Sequence, residues 1–252
     1  MSCKRPLLAL SLALSALWSA GAQAADLVVS AAASLTNAFK DVAQAYEKEH
    51  PDTHVVLNFG ASDVLLQQIV KGAPADVFAS ADQKAMDKAV EEKAVRRDTR
   101  VDFAANQIVL IVPEDSKAGI TSLKDLTRDD IKRIAYGNPA SVPVGRYTQG
   151  ALEAAGLWSA VQAKSVLAQN VRQSLDYVAR GEVDAGFVFA TDAAIMPGKV
   201  KVALRVPSQT PVTYPIAVTA RDAAAKEAQR FVAYVMSPAG QAILSRYGFQ
   251  QP

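Results

Sequence analysis

An α/β fold with a largely parallel sheet is what the sequence predicts, and three observations predict it. Short apolar, β-branched runs alternate with amphipathic helical stretches from residue 25 to the end. Turn-forming residues punctuate that alternation, as at Gly60, Gly137, Gly156 and Gly181. The chain has 252 residues, half of them apolar, which is enough for two packed α/β lobes.

Taken in order, Leu27–Ser30 reads as a strand and Leu35–Lys48 as a helix whose buried face carries Leu35, Phe39, Val42, Ala43 and Tyr46. Pro51 closes that region. His54–Phe59 is a strand, Asp63–Lys71 a helix, Asp76–Ala79 a strand, and Gln83–Glu92 a helix that Asp82 can cap. Ile108–Val112, Ile131–Tyr136, Ser165–Ala168, Ala185–Phe189, Val200–Val206 and Pro215–Thr219 are further strands. A helical turn is expected at Leu123–Leu126, and helices at Gly145–Ala155, Val171–Arg180, Asp222–Met236 and Pro238–Tyr247. Lobe crossings are expected near 100–105 and 211–214. Lobe 1 is then discontinuous, 25–103 plus 214–252, and lobe 2 is 104–213.

The N-terminus differs in kind. Lys4 and Arg5 precede an apolar run, Leu7–Trp18, and then Ala22-Gln23-Ala24, a small-x-small cleavage pattern. Residues 1–24 therefore read as a signal peptide, with a periplasmic destination. Without them 25 basic and 25 acidic residues remain, so no basic-patch argument for nucleic acid survives. The single cysteine, Cys3, precedes the apolar run, which excludes disulfides and thiolate chemistry from the mature chain. After the leader no apolar stretch is long enough to span a bilayer, so no stable membrane insertion is expected.

Four strand-to-helix junctions have the composition of anion sites. They are Ala31-Ala32-Ala33-Ser34, Gly60-Ala61-Ser62, Val142-Pro143-Val144-Gly145, and Gln169-Asn170 before Val171. The first amides of a helix have no internal acceptor and carry partial positive charge. Open α/β sheets also bind ligands beyond the carboxyl ends of their strands. Serine is equally a favoured N-cap, so Ser34 and Ser62 have two readings, closing their own helices or donating to a ligand. Arg146 and Arg172 fall in first helical turns beside these donors, where each could touch the anion or be held by a carboxylate.

Phosphate-loop, dinucleotide and nucleophile-elbow signatures are absent from the sequence. His50 and His54 are its only histidines, separated by Pro51, and read as surface residues rather than metal ligands. An exported enzyme with Ser34 as nucleophile would need a general base, and neither histidine is well placed to serve.

The chain resembles the periplasmic molybdate-binding proteins of ABC importers. The likeness rests on Ala31-Ala32-Ala33-Ser34-Leu35-Thr36-Asn37-Ala38, on Gly72–Phe78 with Ser80–Gln83, on Gly137-Asn138-Pro139 with Val142–Gly145 and Tyr147, and on Asn170-Val171-Arg172. Gly186–Phe189 with Asp192, Tyr214-Pro215 and Arg246–Phe249 complete it, in the same order along the mature chain. The resemblance implies a two-lobe type II periplasmic binding fold with the ligand in the cleft. It further implies molybdate or tungstate as transported ligand, no cofactor, no catalysis, a membrane permease as partner, and a monomer. Carried over by position, Ser34 and Ser62 would donate from hydroxyl and amide, and Val144 and Val171 from amides. The chain departs from the pattern at Phe189, where the family often has a tyrosine whose hydroxyl reaches the anion. Phe189 is thus either a ligand-site wall or plain core. Tyr147, Thr191 or a water is the expected substitute for the missing hydroxyl.

Overall fold

The structure, a computed structural model, describes residues 25–252. The expected signal peptide and Cys3 lie outside the described residues. From Ala25 onward the chain builds two five-stranded sheets.

In the first sheet β1 (Ala25–Ala32) lies between β2 (Thr53–Gly60) and β3 (Val77–Ala79), all parallel. The connections are α1 (Thr36–Glu49) and α2 (Ser62–Val70), and α3 (Gln83–Glu91) follows β3. The second sheet repeats this arrangement. Its β6 (Ile134–Gly137) pairs in parallel with β7 (Ser165–Ala168) and β8 (Ala185–Phe189), connected through α4 (Pro143–Ala154), α5 (Trp158–Gln162) and α6 (Val171–Ala179). α7 (Ala190–Ala194) follows β8.

Both sheets are mainly parallel, as the sequence predicts: four of the five strands in each run in one sense, and a single strand near the crossings runs against them. β10 (Val212–Val218) joins β3 to β4 (Val101–Asn106), and β5 (Ile108–Pro113) joins β8 to β9 (Val200–Val206). A chain that leaves one sheet for the other and later returns inserts strands of opposite sense. The first sheet keeps β4 to Asn106 and resumes at Val212, so the expected junctions at 103/104 and 213/214 fall inside β4 and β10. α8 (Ala225–Met236) packs on β10, and α9 (Pro238–Arg246) on α1 and α8, returning the C-terminus to the first sheet.

The apolar periodicity explains what is buried. Leu35, Phe39, Val42, Ala43 and Tyr46 form the inner face of the α1 region. β5 is buried along Ile108–Val112 because both faces are covered. An aromatic chain then threads between the sheets. Phe39 meets Phe103 at 5.7 Å between ring centroids, Phe103 meets Tyr214 at 6.3 Å, and Tyr214 meets Phe189 at 5.6 Å. These edge-on contacts fix the crossing region where the cleft opens.

The β6–α4 junction is unusually tight. A Cβ on Gly145 would sit 1.9 Å from the Gly137 carbonyl oxygen, so glycine is required for the first turn of α4 to rest on the end of β6. This contact sets the position of Val144. Gly145→Ala is expected to cost about 1–3 kcal/mol through overpacking. Urea unfolding measures it, and an unchanged midpoint would contradict the close approach.

Candidate anion-binding site

The four junctions converge. Ser34 lies in the single 3-10 turn after β1, with Ala32 as its N-cap. Ser62 is the first residue of α2, Val144 the second of α4 and Val171 the first of α6. Each therefore holds an amide that precedes the first intrahelical bond. Ser34, Ser62, Val144, Val171 and Phe189 all line one cavity. It holds about 210 Å³ of empty space. That is room for a compact ion and not for an organic solute.

Neither serine caps its own helix. The N-caps are Ala32 and Ala61, without side-chain bonds, so the capping alternative does not hold. Instead each hydroxyl is approached from the protein side. The Ala81 amide donates to Ser62 Oγ at 3.0 Å, and Ser34 Oγ lies 3.0 Å from the Tyr214 hydroxyl. Ser62 Oγ, which accepts from behind, keeps its own proton for the cavity. Ser34 and Ser62 are both buried, so their hydroxyls have little water to meet.

All the lining residues are uncharged. The two nearby arginines are held by partners elsewhere. Arg146, from the first turn of α4, reaches across to the first sheet's elements, donating to Asp63 at 2.7 Å and to Asp82 at 2.6 and 2.8 Å. Arg172, from the first turn of α6, crosses likewise, donating to Asn37 Oδ1 at 2.8 Å and the Ser34 carbonyl at 3.2 Å. Its Nε also contacts Asp192 at 2.5 Å within its own lobe. Burial raises the Asp192 carboxyl to about 6, against the pull of Arg172.

The carboxylate partners of the arginines and Ala81 as cavity wall carry no local sequence signal, whereas Asn170 lines the cavity as part of the fourth junction. Of the expected substitutes for a hydroxyl at 189, neither Tyr147 nor Thr191 lines the cavity. Tyr147 borders the adjoining cleft with its ring 6.3 Å from Phe189, and Thr191 Oγ1 accepts from Asn106. His54 is exposed beside Glu47, and the His50 ring lies tilted against Tyr46 with centroids 4.3 Å apart; neither lines the cavity. No cluster of three or more His, Cys, Asp or Glu occurs among the described residues.

Two α/β units folded around a solute-sized chamber, joined by strands that cross only at one edge, have the architecture of a solute-binding protein. Residues 27–250 match the family of bacterial extracellular solute-binding proteins, and the chain belongs to that family. It is 39% identical over 234 residues to the molybdate-binding protein ModA of Escherichia coli, covering 88% of each chain. To ModA of Haemophilus influenzae it is 34% identical over 239 residues, 90% of this chain and 91% of the other. Among solved structures, the periplasmic molybdate-binding protein of Azotobacter vinelandii superposes with a TM-score of 0.78 at 26% identity, over 90% of this chain and 99% of that one.

Two tests follow from the charges around the cavity. Arg146→Met strands Asp63 and Asp82 and removes an inter-sheet tie. It is expected to cost about 1–3 kcal/mol, below the value of a fully buried pair because the edge is wet. Small-angle scattering of the unliganded protein should then show expansion, and an unchanged radius of gyration would count against the tie. For Asp192 the raised carboxyl means the folded state binds a proton more tightly than the unfolded one. Its contribution is therefore full below about pH 4 and lost as pH rises through about 6. Asp192→Asn should flatten that part of the stability profile, and an identical slope in both proteins would refute the assignment.

Proposed function

We propose that the chain captures molybdate, and tungstate equally, in the cavity between its two lobes and delivers it to the permease of an ABC importer. The supporting observation is that two serine hydroxyls and four helix-start amides converge on a small chamber with no charged wall. A dianion leaves water only where oriented dipoles replace its hydration shell. Here they do so without a counter-ion, as at other helix N-termini. The relatives named molybdate-binding support the same cargo.

In this reading lobe 1 comprises residues 25–106 and 212–252, and lobe 2 residues 107–211, following sheet membership. Residues 1–24 direct export to the periplasm, where the mature chain acts as a monomer. Its role is binding without turnover. The neighbour of Ser34 Oγ is a neutral phenol, not a general base. Phe189 walls the cavity without donating. The closed arrangement, tied by Arg146 and Arg172, is the form that anion contacts from both lobes favour and that the permease engages.

Selectivity follows from donor type and chamber size. Molybdate and tungstate match in charge and nearly in radius. Sulfate is smaller and leaves some donors out of reach. Hydrogen phosphate brings a proton for which a donor-only wall has no acceptor.

Titration calorimetry with the four anions should give comparable, tight binding of molybdate and tungstate and far weaker binding of the other two. Ser34→Ala and Ser62→Ala should each weaken molybdate about 10- to 100-fold, the worth of a hydrogen bond to a charged group. Sulfate bound as tightly as molybdate, or serine variants with native affinity, would overturn the reading.

A further inference from the structure

We infer that Tyr214 and Asn106 are positioning residues that set the direction of the Ser34 hydroxyl and strengthen it as a donor to the bound oxyanion. The inference rests on the oxyanion-binding reading of the cavity.

The direction of each bond in the chain is fixed by its neighbours. Asn106 Oδ1 accepts from the Gln107 amide at 2.9 Å, so its Nδ2 faces the other way. From there Nδ2 donates to Thr191 Oγ1 at 2.9 Å and to the Tyr214 hydroxyl oxygen at 3.3 Å. Tyr214 is fully buried, and Ser34 Oγ at 3.0 Å is the remaining partner of its hydroxyl. If Ser34 donated to Tyr214, the phenolic proton would be left without an acceptor in the interior, which is costly. Tyr214 therefore donates to Ser34, and the serine proton is free for the cavity. Burial raises the Tyr214 phenol well above its ordinary range, so it remains a neutral donor.

Each bond in such a series polarises the next. The series also has a particular place in the fold. Asn106 ends β4 and Tyr214 lies in β10, the two strands beside the crossings, while Thr191 belongs to the second lobe and Ser34 to the first. Ser34 is thus oriented by a chain anchored at the hinge and in the opposite lobe. A phenol at this site supplies, one bond removed, polarity that the Phe189 side chain cannot.

A double-mutant cycle tests the idea. Tyr214→Phe keeps the ring and its edge contacts with Phe103, Phe189 and Phe249. It should weaken molybdate binding about tenfold by calorimetry. In a Ser34→Ala background the same change should alter affinity by less than about twofold, because the two residues act through one hydroxyl. Full additivity would mean that Tyr214 acts through general packing, and would sink the proposal. Site-specific 3-fluorotyrosine at 214 retains the hydroxyl and makes it a stronger donor. It should tighten binding about twofold with Ser34 present and leave the Ser34→Ala protein unchanged. An effect that survives loss of Ser34, or no tightening at all, would also contradict it. Failure of the wild-type chain to bind any oxyanion would instead remove the functional reading itself, a result distinguishable from an additive cycle.

Discussion

The hydration energy of a small dianion is the quantity against which this cleft is organised. Water must be replaced all at once and from several directions, or the ion stays in solution. In the proposed function, helix-start amides supply part of that replacement because no intrahelical acceptor competes for them, and buried hydroxyls supply the rest. Two of the helix starts that line the cavity come from each sheet's part of the chain, so the proposed solvation shell needs both. Anion contacts from both would then favour the closed form that the Arg146 tie already supports.

The charged residues near the cavity are arranged to stay out of it. Arg146 and Arg172 leave the same first turns that present Val144 and Val171, yet their guanidinium groups extend to Asp63, Asp82, Asn37 and Asp192. Their fields are balanced locally, so in the proposed function the ion meets dipoles rather than a full positive charge. A free arginine in the chamber would hold anions of many kinds by charge alone. Neutral donors at fixed positions discriminate by size and by protonation state instead. The tight contact of Gly145 on Gly137 belongs to the same economy, since it fixes an amide rather than a side chain.

How much of this could be read from sequence depended on distance along the chain. Helix starts are encoded locally by a small-residue turn followed by an amphipathic run, so Ser34, Ser62, Val144 and Val171 were legible, as was the inner face carrying Phe39, Val42 and Tyr46. The capping alternative for the serines could not be dismissed from sequence. That needed the observation that the helical turns begin at Ala33 and Ser62, which puts Ala32 and Ala61 in the cap positions. β4 went unrecognised because Ala104, Ala105 and Asn106 have weak strand preference and are held by pairing with β10. α5 and α7 are five-residue helices, too short to carry a periodic signal. The partners of Arg146 lie 64 and 83 positions away, and Tyr214 lies 180 from Ser34; no local pattern announces such pairs. The antiparallel strands were hidden for the same reason, since strand sense is a property of the path between sheets.

The most direct measurement is anomalous diffraction at the molybdenum edge from crystals grown with molybdate. The predicted result is one metal peak inside the cavity, its oxygens within hydrogen-bond distance of the Ser34 and Ser62 hydroxyls and the Val144 and Val171 amides, with Arg146 and Arg172 still on their carboxylates. A peak outside that cavity, or an arginine swung in to contact the oxyanion, would contradict solvation by neutral dipoles.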